Sequence, residues 1–137
     1  MNVYVLDACA LLAVLAMEKG AENIRNLFQK TVDRQAILLM NKYNLLEVYY
    51  NIYKAYGKNE ADNLLVTMEQ MPVTINDTLT NEILKEAGRL KTKHKLSLAD
   101  SIAIAESIIN KGSLVTSDHH EIEPIEIAEN INITWFR

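Results

Sequence analysis

"SLADSIAIAESIINKGSLVTSD", Ser97 to Asp118, decides the fold. Residues 97–110 read as a helix: Ser97 is a capping residue, Asp100 stands three positions on in the capping-box pattern, and alanines and large aliphatics follow. "SLVTS" at 113–117 reads as a short buried strand. Only Lys111-Gly112 separates the two. So short a link places the end of the helix at one edge of a sheet and its start, with Asp100, at the other. From Leu96 to Ala105 the segment otherwise holds only alanines, aliphatics and serines. One carboxylate thus heads an apolar helix and faces the carboxyl ends of the strands.

Working outward, the same alternation repeats. "NVYVLD" at 2–7, "AILLM" at 36–40, "PVTI" at 72–75 and "NITWF" at 132–136 complete a set of five short strands. Helical patterns lie between them: "ACALLAVLAMEK", "AENIRNLFQKTV", "NLLEVYYNIYKAYG" with Asn44 as cap and Gly57 as terminator, "NEADNLLVTMEQM" and "TLTNEILKEAGRLKTKH". His119 and His120, after Asp118, read as part of a short loop. Strands separated by helices imply an α/β fold, a three-layer α/β/α sandwich with a central parallel sheet of about five strands. The 137 residues make one domain, 1–137. In such sheets ligands bind in the crevice beyond the carboxyl ends of the strands.

Composition narrows the function classes. The chain is 49% hydrophobic with 4 glycines and 2 prolines, a globular balance. A single cysteine, Cys9, excludes an internal disulfide and fits a reducing compartment. Strand-like residues from Asn2 leave no room for a secretory leader, and no apolar run is long enough to span a bilayer, so the expectation is a cytoplasmic protein with no membrane partner. The net charge of −4 argues against sequence-blind coating of nucleic acid, not against a nucleic acid held at one local site.

Four acids fall at the same sheet edge. Asp7 ends the first strand, Glu47 lies in the first turn after the second, Asp100 heads its helix, and Asp118 follows the fourth strand. Each has an ordinary local role as a cap or turn residue. Together, four carboxylates in one crevice repel one another, and no Lys or Arg adjoins any of them in sequence. Without these four the chain has fourteen acids and fourteen bases, so the formal excess equals the cluster. Oxygen-only donors suit a hard ion, Mg²⁺ or Mn²⁺, in one or two copies.

The ordered set "VLDACALLA", "NLLEVYY", "LSLADSIAIAES" and "LVTSDHHE" resembles the PIN-domain family, in particular the VapC-like toxins of prokaryotic toxin–antitoxin pairs, along the whole chain. The resemblance implies a metal-dependent endoribonuclease whose metal and catalytic residues are Asp7, Glu47, Asp100 and Asp118. Asp7 and Asp100 hold the principal ion, and the other two complete the site directly or through water. It also implies a hydroxyl ahead of the last aspartate, which Thr116 provides, together with RNA as substrate, a cognate antitoxin and a homodimer. The sequence departs from the family at Cys9, where Ser or Asn is common.

Further features carry two readings each. Lys85, Arg89, Lys91, Lys93, His94 and Lys95 are either solvated charges at a helix end or a phosphate rail, with Arg89 and Lys93 as the substrate contacts. Tyr49, Tyr50, Tyr53 and Tyr56 form a helical stripe, either packed against the core or kept for an interface. Glu121 is an auxiliary carboxylate or a loop charge. His119 and His120 are adjacent in a short segment, a poor arrangement for both to reach one zinc. Three rivals to the nuclease reading are a PIN-like binding module without catalysis, a nuclease outside any toxin–antitoxin system, and a phosphoacceptor domain. The last lacks its paired acids, because Ala8 and Cys9 follow Asp7.

Overall fold

β1 (Asn2–Leu6) lies in the middle of the sheet because its residues suit burial on both faces. Val5 and Leu6 are both fully buried and point to opposite sides. In a computed structural model describing all 137 residues, the remaining strands are β2 (Ala36–Asn41), β3 (Thr74–Asn76), β4 (Ser113–Thr116) and β5 (Ile133–Trp135). They form one sheet in the order β3-β2-β1-β4-β5, every pair parallel. The third strand is shorter than read from sequence and starts two residues later. Pro72 has no N–H for a ladder and stays outside it.

Seven helices cover the two faces: α1 (Ala8–Leu15), α2 (Ala21–Val32), α3 (Lys42–Tyr56), α4 (Lys58–Gln70), α5 (Asn81–Lys93), α6 (Leu98–Ile109) and α7 (His119–Glu129). One core cluster joins Leu6, Leu38 and Met40 to Leu11, Ile24, Val48 and Leu64 of α1–α4. The other joins Val5 and Leu114 to Leu90, Ile104 and Ile122 of α5–α7. This is the three-layer α/β/α architecture.

The strand order sets where a ligand crevice opens. The chain runs outward from β1 through β2 to β3, then crosses to the other side of β1 for β4 and β5. The switch point therefore lies between the carboxyl ends of β1 and β4. The α6–β4 link is tight. Lys111 takes a positive φ of 53°, and a Cβ on Gly112 would lie 2.5 Å from the Val3 carbonyl oxygen, so backbone passes where a side chain would stand.

Two elements depart from the sequence reading. Residues 119–129 form α7 rather than a loop, with Pro124 inside the helix. Pro124 has no N–H to give to the carbonyl of His120, but Ile122 and Ile125 are buried and hold the helix to the second core cluster. The cap of α3 is Asn41, not Asn44. Asn41 Oδ1 accepts from the Asn44 N–H at 2.7 Å, which starts the helix earlier and moves Glu47 into its second turn.

Candidate functional site

Asp7 is the most enclosed acid at the switch point. It caps α1, accepting the Ala10 N–H at 2.9 Å, while its own N–H is given to the Val115 carbonyl at 3.3 Å. Only 5% of the residue is exposed. Burial pushes its carboxyl up to about 7; bonds from the Thr116 hydroxyl and the Ala10 N–H oppose the rise, and the charges of Asp100 and Asp118 add to it.

Asp100 enters from the other face. Ser97 caps α6 by accepting the Asp100 N–H at 3.1 Å, which fixes Asp100 in the first turn. Its carboxyl is raised mainly by burial; Ser97 offsets part of this, and Glu47 and Asp118 add to it. Asp118 caps α7, accepting the Glu121 N–H at 3.1 Å, and donates its own N–H to Thr116 Oγ1 at 3.1 Å. Thr116 therefore touches both aspartates. Glu47 is raised by burial and then by Glu121. Glu121 is raised by burial and by Asp100 and Asp118, while the Ser97 N–H favours its charged form.

The fold brings Asp7, Glu47, Asp100 and Asp118 to one edge, near enough for their charges to act on one another, with Glu121 as a fifth member. Cys9 reports the same convergence: its thiol is pushed up to about 12 by burial and then by the charges of Asp7, Asp100, Asp118 and Glu47. No basic side chain answers them. None of the six ion pairs in the molecule involves any of the five carboxylates. The local capping roles are real as well: Asp7 and Asp118 each accept a helix-start hydrogen bond, and Asp100 gives its N–H to one. Each is still left with carboxylate oxygen that no cation neutralises.

The donor set fits a hard divalent ion by its chemistry: oxygen donors only, partly desolvated and lacking positive partners. Its shape is looser, because no three His, Cys, Asp or Glu side chains close on one coordination point.

Other residues singled out in the sequence lie elsewhere. Arg89 is bound to Glu86 and, at 2.8 Å, to Glu129. It lines a cavity with Ser107 and Lys111, at the end of α6 opposite Asp100, and so does not face the acids. Lys93 is exposed at the end of α5. Of the tyrosine stripe, Tyr50, Tyr53 and Tyr56 face solvent, and Tyr49 donates to Asp62 at 2.7 Å. His119 stacks on Trp135 and bonds Glu123 and the Arg137 carbonyl, which ties down the C-terminus. Glu106 escapes the sequence reading although it interrupts the same apolar helix. It is fully buried, accepts from Asn76 at 2.7 Å, and leaves its other oxygen unpartnered.

A parallel sheet in the order 3-2-1-4-5 with carboxylates gathered at its switch point places the chain among three-layer α/β proteins with acidic strand ends. The chain belongs to the PIN domain family, whose model matches residues 4–124. Solved structures share the fold. A DNA-bound VapBC from Salmonella typhimurium is 15% identical, with a TM-score of 0.73 and 100% of both chains covered. VapBC2 from Rickettsia felis, bound to a fragment of its promoter DNA, is 17% identical, with a TM-score of 0.73 over 97% of this chain and 98% of that one. VapC20 of Mycobacterium tuberculosis, a toxin that cleaves the sarcin–ricin loop, is 11% identical, with a TM-score of 0.66 over 90% and 95%. Among curated proteins none matches the sequence.

Proposed function

We propose that the protein is a Mg²⁺- or Mn²⁺-dependent endoribonuclease, the toxin of a toxin–antitoxin pair. The observation that carries this is a set of five carboxylates at the switch point, four of them raised by burial and by one another, with no base paired to any of the five. A bound divalent ion would supply an activated water at neutral pH and relief of charge on a phosphodiester. Asp7 and Asp100 hold the principal ion, Glu47 and Asp118 complete its surroundings, and Glu121 is auxiliary. Thr116 positions Asp7 and the Asp118 backbone together. With the carboxyls raised in this way, loading an ion displaces protons, Asp7's above all.

The nature of the structural neighbours supports an antitoxin partner, since two of them are VapBC assemblies. Exposed Tyr43, Leu46, Tyr50 and Tyr53 recur along one face of α3, the kind of surface that a partner or second copy covers. No helix is long and apolar enough to cross a membrane. The test is cleavage of total RNA and of a matched DNA by the purified protein. Cleavage of RNA only with Mg²⁺ or Mn²⁺, abolished in Asp7→Asn and Asp100→Asn with the fold retained, supports the reading. Activity that persists in both variants, or that survives chelation, overturns it.

A further inference from the structure

Beside the acids runs a groove of about 670 Å³, lined among others by His94, Lys95, Ser97, His120, Glu121 and Pro124. Glu121 is the fifth member of the acid cluster and Ser97 is the cap that accepts the Asp100 N–H, so the groove borders the cluster. One wall is the strap from His94 to Ser97, and the other is the first turns of α7. The strap is held at three points. His94 Nε2 lies 2.7 Å from Glu129, Lys91 Nζ donates to the Leu96 carbonyl at 2.6 Å, and Ser97 caps α6.

That anchoring sorts the basic side chains. Arg89 is bound to two glutamates, His94 to one, and Lys91 to a carbonyl. Lys95, between the anchors, and His120, on the facing helix, are exposed and have no acidic partner. The groove therefore joins Glu121, at the acidic edge, to a lysine and an imidazole that no acid pairs, on a strap held at three points. An anionic polymer whose reacting phosphate meets a cation at the acidic edge would place its next phosphates among the basic groups.

We propose that this groove holds the RNA strand flanking the scissile phosphate, with Lys95 and His120 as backbone contacts. The inference rests on the nuclease reading and adds the path of the substrate. It places phosphate recognition on the 94–97 strap and on α7, away from Arg89.

The test compares Lys95→Ala, His120→Ala and the double variant with Lys30→Ala and Lys111→Ala, exposed cations at the opposite edge. Cleavage of a single-stranded RNA is followed with Mn²⁺, and binding of the same RNA is measured in the Asp100→Asn background across a salt series. The expected result is a KM raised about three- to tenfold by each groove variant, with the loss falling on KM rather than kcat. The slope of log affinity against log salt should flatten by about 0.7 when the Lys95 charge is removed. Unchanged KM and slope in the double variant, with cleavage by the parent protein intact, overturn the groove and leave the nuclease reading standing. Equal effects from Lys30→Ala or Lys111→Ala also overturn it, by making the contribution one of general charge. Neither cleavage nor binding by the parent protein overturns both.

Discussion

Asp7→Asn should make the metal-free protein more stable at neutral and alkaline pH. In the folded chain the Asp7 carboxyl is raised from 3.8 to about 7, chiefly by burial. Between those values the folded state holds a proton that the unfolded chain has lost, so stability falls as pH rises through this window and levels off above 7. A rise of that size corresponds to about 4 kcal/mol, little reduced by solvent at a residue this enclosed. Asparagine cannot ionise, and its oxygen can still accept the Ala10 N–H. Loss of the Thr116 bond costs about 1 kcal/mol. The variant should then gain about 1–3 kcal/mol at pH 8 and none at pH 4. Urea unfolding in chelator from pH 4 to 8, followed by the fluorescence of the single tryptophan, Trp135, measures the difference. The other raised acids leave a slope in both proteins, so the difference between the curves isolates Asp7. Parallel curves, or a variant weaker than the parent at pH 8, would refute the reasoning.

Gly112→Ala should destabilise the fold by about 1–3 kcal/mol, because the added Cβ meets the Val3 carbonyl at the α6–β4 link; thermal unfolding checks this. Arg89→Gln should cost about 1 kcal/mol by breaking partly exposed pairs with Glu86 and Glu129, and the KM for RNA should not move. Glu106→Ala should cost about 2–4 kcal/mol in urea unfolding, since it leaves a cavity and strips Asn76 of its acceptor inside the protein. A neutral result there would mean that water already serves Asn76.

What the sequence discloses and what it hides follow from the range of the interactions. The sheet is legible because buried parallel strands are short apolar runs, and the direction of α6 because two residues cannot span a sheet. Asp7, Asp100 and Asp118 can be placed at one edge because each adjoins a strand end or a fixed helix start. Glu47 is misplaced by a turn, since Asn41 and Asn44 are equally good caps three residues apart and only the backbone selects between them. α7 is hidden because Pro124 and paired histidines mask a helix that buried Ile122 and Ile125 hold in place. Arg89 looks free in sequence because Glu129, its partner, lies forty residues away in that same helix. Glu106 carries a visible signal, an acid on the buried face six residues after Asp100. The spare cations of the groove can be recognised only once the paired ones are known.

Calorimetric titration of Mn²⁺ into the folded protein near pH 7 probes the acidic crevice most directly. Saturable binding is expected, with release of about half a proton from Asp7, read from the dependence of the heat on buffer ionisation. That binding should be lost in Asp100→Asn. An absence of saturable binding, or binding of equal strength in Asp100→Asn, would contradict a metal site built on these carboxylates.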